Sequence, residues 1–175
     1  MIRGGSCLVW RLAVLDSSFC SPLDVLHVTP TITVGAFANL HVCVYRGELT
    51  LEALEVANQH HRTLMAQHAR TFVLGLVQPN LPLPAAGVRQ RGARLIEENG
   101  ANVEAAGLIV EGGGFWASAV RSVTTASFAL ARQPYPSKCF ATGLDAGTWF
   151  GTFPAGHGLD PAEVASALAR LSAAV

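Results

Sequence analysis

The residues with the clearest chemical potential form a glycine-rich turn near the middle of the chain: Glu111, Gly112, Gly113 and Gly114. A short apolar run, Leu108–Val110, precedes the turn, and a stretch of helical length follows from Phe115. Free backbone amides at the start of a helix can hold an anion. The turn lacks both the Lys-Ser/Thr pair of a P-loop and the spaced glycines of a dinucleotide fold. We therefore interpret it as a tight turn that uses glycine's tolerance of positive φ, with a small-ligand or anion site as the alternative.

Three histidines, His60, His61 and His68, lie on one predicted helix that begins after Thr50. His61 and His68 are seven residues apart and share a face, but a metal-binding pair on a helix more naturally uses a spacing of four. No acidic residue completes an HExxH pattern. A position at the edge of the core or facing solvent is favoured, and no metal is predicted.

Nucleophilic chemistry has little support in the sequence. There is no GxSxG motif, and Cys139 lies in an apolar run where a thiol is usually unreactive packing. Catalytic triads assemble from distant residues, so an unrecognised hydrolase stays open as an alternative. It would require a Ser or Cys within hydrogen-bond reach of a His. The sequence favours a protein that is not an enzyme and that uses no cofactor.

Composition excludes several classes of function. Formal net charge is zero, so no overall field attracts nucleic acid or anionic lipid. No apolar window reaches the roughly 20 uninterrupted residues of a membrane helix, and we predict no membrane insertion. The four cysteines form no CxxC pair, which favours reduced thiols and a cytoplasmic location. Charged residues make up 14% of the chain, against roughly 25% on average, so a partner could complete the surface.

The first predicted elements are strands, and the first of them is Ser6–Leu15. The runs Val25–Phe37 and Leu40–Tyr45 indicate an antiparallel hairpin or meander, with a turn at Gly35–Asn39 and an edge or bulge at Pro30. The second run alternates, which places two sets of side chains on opposite faces of the sheet. One face has Leu40, Val42 and Val44, and the other has His41, Cys43 and Tyr45.

From Thr50 onward, helices and strands alternate. Thr50 is a good N-cap for the first helix, and the continuous apolar run Thr71–Gln78 is typical of a strand covered on both faces. The remaining predicted elements are a helix from Pro84 to a cap at Gly100, a helix Phe115–Arg132, a strand Lys138–Thr142, a short segment Leu144–Phe150 and a helix Pro161–Ala173. This order predicts an α/β fold whose sheet is mixed because of the initial hairpin.

Three stretches carry a resemblance to a known family: YRGELTLEALEVANQHHRTL, TFVLGLVQPNLPLP, and GLIVEGGGFWASAVRSV followed by YPSKCFAT. From about His41 to its end, the chain resembles STAS-type proteins, which have the fold of anti-sigma-factor antagonists. The resemblance implies one STAS-like domain over residues 1–175, with an N-terminal β extension over about 1–39. It also implies a regulatory or scaffolding module that acts through protein contacts. Antagonists of this family carry a phosphorylatable Ser or Thr after the central strand, but the matching segment Gln78–Val88 has neither, which argues against such a switch.

The predicted helix Phe115–Arg132 is apolar around almost its whole circumference, with Arg121 as its only interior charge. A helix of this kind is buried, and a second subunit could cover it. We therefore predict a protein partner or self-association as a homo-oligomer. The predicted contact surface is aromatic: Phe115, Trp116, Trp149 and Phe150.

Overall fold

The computed structural model describes residues 23–112, 114–115, 117–119, 121–122, 124 and 133–174. Predictions for the strand Ser6–Leu15, for Gly113 and Trp116, and for the end of the Phe115–Arg132 helix lie outside these residues. Within them the chain is α/β, with a six-stranded mixed sheet, as predicted. Of the helices in this part of the chain, none has the length and hydrophobicity needed to cross a membrane.

The strands lie in the sheet in the same order as in the sequence. The first three form an antiparallel meander, and each later strand is parallel to the one before it. The strands are β1 (Asp24–Val28), β2 (Ile32–Phe37), β3 (Leu40–Tyr45), β4 (Thr71–Val77), β5 (Val103–Val110) and β6 (Ser137–Phe140). This arrangement confirms the predicted meander and the predicted mixed sheet.

The α-helices with defined bounds are α1 (Leu51–Gln67), α2 (Ala86–Asn99), α3 (Gly143–Phe150) and α4 (Pro161–Ala173). The described residues of 114–124 are also helical, and a 3-10 turn covers Pro154–Gly156. Side chains cap several helix starts, as the sequence indicates. Thr50 accepts from the Ala53 amide, and Asp160 accepts from the amides of Ala162 and Glu163. These bonds satisfy amide groups that have no partner within the helix.

The predicted turn at Gly35–Asn39 is wrong in its position. Strand β2 continues through Gly35 to Phe37, and the turn is formed by Ala38, with φ of 51°, and Asn39. Glycine is present at position 35 because of packing, since a Cβ there would lie 2.6 Å from Cδ2 of Leu171. Pro30 lies in the bend between β1 and β2 rather than inside a strand.

Other element boundaries shift by a few residues. Helix α2 begins at Ala86, two residues after Pro84, whereas its end at Asn99 and its C-cap at Gly100 are as predicted. Gly100 keeps a right-handed conformation, and a Cβ on it would lie 2.5 Å from Cγ of Pro134. The last strand ends at Phe140 rather than Thr142, because Thr142 is already the N-cap of α3.

The two faces of the sheet carry different cores. On one face Leu40, Val42 and Val44 pack with residues of α3 and α4, including Phe150 and Leu171. The other face of β3 carries His41, Cys43 and Tyr45 and lies against α1, with α2 packed beside α1. The alternation predicted for β3 is therefore confirmed, and its polar residues are covered by helices rather than by water.

Arg46, directly after β3, makes hydrogen bonds that hold the end of α4 against the sheet. Its guanidinium donates to the carbonyls of Leu171, Ser172 and Ala174 at 2.5, 3.0 and 3.0 Å, and to the Thr33 hydroxyl at 2.5 Å. The last carbonyls of a helix lack partners within the helix, and a cation stabilises that end of its dipole. Arg46 thereby fixes α4 over β2 and β3 and leaves α1 and α2 to shape the opposite face.

Candidate functional site

A cavity of about 250 Å³ lies between α1, α2 and the face of the sheet formed by β3 and β4. Its walls are mostly apolar, with a few polar groups and no Asp, Glu, Lys or Arg. The lining residues are His41, Cys43, Tyr45, Leu54, Ala57, Asn58, His61, Val73, Gly92, Leu95, Ile96, Asn99, Val103 and Tyr135. Apolar walls with a small number of polar groups are typical of small-molecule sites.

Regular spacing explains why these elements share one cavity. Helix α1 contributes positions i, i+3, i+4 and i+7 from Leu54 to His61, and α2 contributes the same series from Gly92 to Asn99. Residues at these spacings form one face of a helix. Every second residue of β3 completes the floor, since alternate side chains of a strand point the same way.

Two buried histidines meet at the floor of the cavity. The rings of His41 on β3 and His61 on α1 stack, with their centroids 4.9 Å apart. Burial, together with smaller electrostatic effects of His61 and His60 and against a smaller opposing effect of the Ala57 carbonyl, lowers the pKa of His41 to about 3. Burial also lowers the pKa of His61 to about 4. Both imidazoles are therefore neutral at pH 7.

The hydrogen bond to Thr71 shows which ring nitrogen of His61 carries the proton. Its Nε2 lies 2.9 Å from Oγ1 of Thr71, and that hydroxyl donates to the carbonyl of Asn102 at 3.3 Å. Because the hydroxyl has one proton, His61 Nε2 must be the donor to Thr71. This bond fixes the ring of His61, and the stacked ring of His41 is held against it.

His41 is differently placed, because one of its ring nitrogens has no partner. Nδ1 lies 3.8 Å from Sγ of Cys43, whereas the buried Nε2 makes no hydrogen bond to any residue that the structure describes. The side chain is 3% exposed. Leaving a buried polar atom without a partner costs about 1–3 kcal/mol. The Ala57 carbonyl lies close enough to this ring to raise its pKa slightly, and Nε2 has less than 1 Å² of accessible surface.

Cys43 and His41 satisfy the distance that an unrecognised hydrolase requires, but their protonation states are unsuitable. Burial raises the pKa of Cys43 to about 12, with a smaller opposing effect of the Tyr45 hydroxyl. A catalytic cysteine needs a lowered pKa so that it attacks as a thiolate. His41, held neutral, supplies no imidazolium to stabilise that thiolate. The pair is better suited to binding than to nucleophilic attack.

Polar bonds hold the helical walls together. The amide of Asn99 on α2 donates to Oδ1 of Asn58 on α1 at 2.8 Å. Nearby, Arg91 lies 2.5 Å from Glu55 of α1 and 2.7 Å from Glu98 of its own helix. The Arg91 guanidinium lowers the pKa of Glu55, chiefly through their hydrogen bond. These contacts keep α1 and α2 at a fixed separation, although apolar side chains do not fill the space behind them.

Gly92 occupies the α2 wall where a side chain would fit. A Cβ at this position would have no neighbour within 4 Å, and Gly92 is not in the left-handed region. Glycine in a helix interior costs about 1 kcal/mol relative to alanine. No contact requires glycine here, and the missing side chain of Gly92 leaves empty space on the cavity wall.

The predicted glycine site has the conformation of a tight turn. Gly112 has φ of 100° and Gly114 has φ of 77°, a region in which other residues are strained. The Glu111 amide donates to the Val77 carbonyl at 2.9 Å and continues the sheet pattern. The geometry therefore accounts for glycine at both described positions, and anion binding by Glu111, Gly112, Gly113 and Gly114 stays a prediction.

The predicted aromatic surface is divided between two environments. Phe115 is 91% exposed. Phe150 has no exposed surface, and its ring centroid lies 4.9 Å from that of Phe72 in the core. Trp149 is partly buried against the same core. Phe150 therefore stabilises the fold of the chain. Among the described residues of the predicted aromatic surface, Phe115 is the one available for an external contact.

The remaining histidines of α1 do not join the cavity lining. The ring of His60 lies 6.1 Å from that of His27, and His68 is the C-cap residue of the helix. Within the part of the chain that the structure describes, no three His, Cys, Asp or Glu side chains are grouped so as to hold a metal ion. The buried residues of α1 are Ala57, Asn58, His61 and Leu64, whereas Leu51 at its start is half exposed.

The sequence does not predict the cavity itself. The alternation of β3 places His41 on the correct face, but nothing in the sequence pairs it with His61. Two signals point there: a histidine at core spacing on α1, and a glycine within α2 that no turn requires. Comparison with known proteins adds no assignment, since no family model, curated protein or solved structure matches the chain.

Proposed function

We propose that this protein is a non-enzymatic regulatory module that binds a small, neutral, mostly apolar molecule in the cavity between α1, α2 and the sheet. One observation carries the proposal: the cavity between α1, α2 and the sheet, of about 250 Å³, is lined mostly by apolar side chains and by no Asp, Glu, Lys or Arg. The apolar walls supply most of the binding free energy.

The volume sets the size of the ligand. A dry, apolar cavity of roughly 150 Å³ is sufficient to bind benzene. The cavity here, at about 250 Å³, therefore accepts a substituted aromatic ring or a molecule of similar bulk. Because no lining residue is an acid, a lysine or an arginine, a charged ligand would lose its hydration without gaining a partner.

We expect Gly92→Phe to block the cavity. The added ring projects from the α2 wall into space that has no atom within 4 Å of the new Cβ. Affinity for the aromatic ketone acetophenone should fall at least about tenfold, or about 1.4 kcal/mol. The measurement is an NMR titration of ¹⁵N-labelled protein with acetophenone, following amide shifts of α1 and α2.

Gly87→Phe is the matched control. Gly87 also lies in α2, and a Cβ added to it would also have no neighbour within 4 Å, but it does not line the cavity. This variant should bind acetophenone as the unaltered chain does, and circular dichroism should show both variants folded. Equal affinity of all three proteins, or no binding by any of them, would contradict the proposed site.

The alternation of strands and helices from β3 onward supports the resemblance to STAS-type proteins. We propose that the chain is a STAS-like module of the cytoplasm whose regulation depends on ligand rather than on phosphorylation. The absence of Ser and Thr from Gln78–Val88 supports this distinction. In this view, the bound molecule fills the cavity between α1, α2 and the sheet, and a protein partner recognises the filled form.

A second function, contact with another protein or with a second copy of the chain, is favoured by two exposed apolar residues. Phe115 is 91% exposed and Leu83 is 86% exposed. They follow β5 and β4, which are neighbouring parallel strands, so both lie at the same edge of the sheet.

If the chain associates through this edge, Phe115→Ser should shift it toward the monomer. Removing an exposed aromatic anchor of an interface typically costs about 2 kcal/mol or more, roughly a thirtyfold change in the dissociation constant. Light scattering after size exclusion, over a range of protein concentrations, measures the change. Leu144→Ser is the control, because Leu144 is also exposed but lies on α3. A strictly monomeric chain before substitution would exclude self-association.

A further inference from the structure

Two histidines on different elements, His27 of β1 and His60 of α1, lie next to each other outside the cavity. Their ring centroids are 6.1 Å apart, and the ring planes are tilted by 36°. His27 is opposite Val34 of β2, which belongs to the same core cluster as Ala57 of α1. His27 is therefore on the face of the sheet that α1 covers, and a strand and a helix together hold the two rings side by side.

The ring nitrogens of His27 and His60 are accessible from solvent. Both side chains are half-buried, and neither makes a hydrogen bond or an ion pair with any residue that the structure describes. In the same part of the chain, the fully buried polar side-chain atoms without a partner belong to His41, Arg46 and Ser172. Since the nitrogens of His27 and His60 are not among those atoms, a dissolved ion can reach them.

The distance between the rings suits two imidazoles on one metal ion. Zinc binds an imidazole nitrogen at about 2.0–2.1 Å, which places the centroids of two rings on one ion roughly 5–6.5 Å apart. The separation of 6.1 Å lies within this range. Imidazole suits zinc, copper and nickel, whereas Mg²⁺ and Ca²⁺ prefer oxygen ligands.

A carboxylate lies on the same face of β1. Asp24 is opposite Ala36 and His27 is opposite Val34, two positions apart on β2, so both side chains are on one face of the sheet. A bulge between Val25 and His27 brings this about, although Asp24 and His27 are three residues apart in the sequence. Strand β1 contains no Lys or Arg, so its charge favours a cation here.

We propose that His27 and His60 form an open site for a divalent transition-metal ion of the zinc class, with water completing the coordination. No three metal-binding side chains are grouped within the described residues, so the site has two protein ligands and exchanges its ion readily. The histidine spacing on α1 alone does not favour a metal, because the second ligand comes from β1. The site is independent of the ligand proposed above, since neither histidine lines the cavity.

Calorimetric titration of the full chain with ZnCl₂ at pH 7.5 tests the site, with MgCl₂ as the comparison ion. We expect saturable binding of Zn²⁺ and none of Mg²⁺. His27→Gln and His60→Gln should each weaken Zn²⁺ binding at least about tenfold, because loss of a residue that merely orients a ligand already costs 10–100-fold. His68→Gln is the matched control, since His68 is also a half-buried histidine of the α1 region, at the helix C-cap. It should bind Zn²⁺ as the unaltered chain does.

The absence of saturable Zn²⁺ binding by the unaltered chain would overturn the inference. An affinity that either His27→Gln or His60→Gln keeps, or that His68→Gln loses equally, would place the ion elsewhere and overturn it as well. Loss of affinity in the first two variants alone supports it.

A second measurement needs no variant and applies even if a substituted chain fails to fold. Long-range ¹H–¹⁵N correlation spectra of the labelled chain follow the ring nitrogens, and coordination uses one nitrogen of each imidazole. We expect Zn²⁺ to shift one ring nitrogen of His27 and one of His60 together, with those of His68 and His157 unchanged. Shifts confined to other histidines, or to one member of the pair, would overturn the inference.

Discussion

Lowering the pH from 7.5 to 5.0 is expected to reduce the free energy of unfolding by about 4 kcal/mol. The cause is the pair of buried imidazoles, His41 and His61, whose pKa values are lowered to about 3 and about 4 from an ordinary 6.5. Folding therefore opposes their protonation. The unfolded chain takes up protons as the pH falls below 6.5, while the folded chain does not.

The sign and the size follow from linkage. The stability contributed by each neutral histidine is fully present above pH 6.5 and is lost progressively toward the folded pKa values of about 3 and 4. Because pH 5.0 lies about 1.5 units below 6.5, the stability contributed by each neutral histidine has fallen by roughly 2 kcal/mol at this pH, at 1.36 kcal/mol per unit.

Urea unfolding at the two pH values measures the effect, with His41→Phe expected to lose about half of the dependence. The matched control is His157→Gln, since His157 is exposed and remote from the cavity lining. It should keep the full dependence. A free energy of unfolding that is the same at pH 7.5 and 5.0 would show that the two imidazoles are not buried in neutral form.

Gly156→Ala is expected to destabilise the chain by roughly 3 kcal/mol, at the upper end of overpacking effects. Gly156 ends the 3-10 turn between α3 and α4, and a Cβ there would lie 2.0 Å from the Phe150 carbonyl oxygen and 2.7 Å from its carbonyl carbon. Backbone atoms cannot rotate away as a side chain can. The turn would have to move off the end of α3, which would open the core around Phe150.

The control for this substitution lies two residues further on. Gly158 is exposed and has no atom within 4 Å of an added Cβ. Gly158→Ala should therefore leave stability unchanged or raise it by about 0.4–1 kcal/mol, through a less flexible unfolded state. Urea denaturation of both variants gives the comparison. Equal stability of the two would mean that the connection between α3 and α4 adjusts without cost.

Local signals are sufficient to predict much of the fold. The alternation in β3 predicts the two faces of that strand, because successive side chains point to opposite sides. Thr50 and Asp160 predict helix starts, because capping depends on residues within one turn. The turn after β2 is misplaced in the prediction since Gly35 suggests flexibility, whereas its glycine is required by Leu171, a residue far along the chain.

The candidate site is not predictable from local patterns. His41 and His61 stack only because α1 packs on the sheet in a position that brings the two residues together. The packing of the whole sheet sets that position. Histidine at core spacing on a helix is equally compatible with a satisfied core residue. The two cases are distinguished by the cavity that α1 and α2 leave above these residues, and the packing of two helices on a sheet leaves no local signal in a sequence.

The most direct test of the central claim is to locate a bound probe by intermolecular NMR cross-peaks. With ¹³C-labelled protein and unlabelled acetophenone, we predict contacts from the ring protons to methyl groups of Leu54, Leu95 and Val73, which line the cavity from three elements. Contacts confined to surface residues outside this lining, such as Leu83 or Phe115, would contradict the proposed binding site.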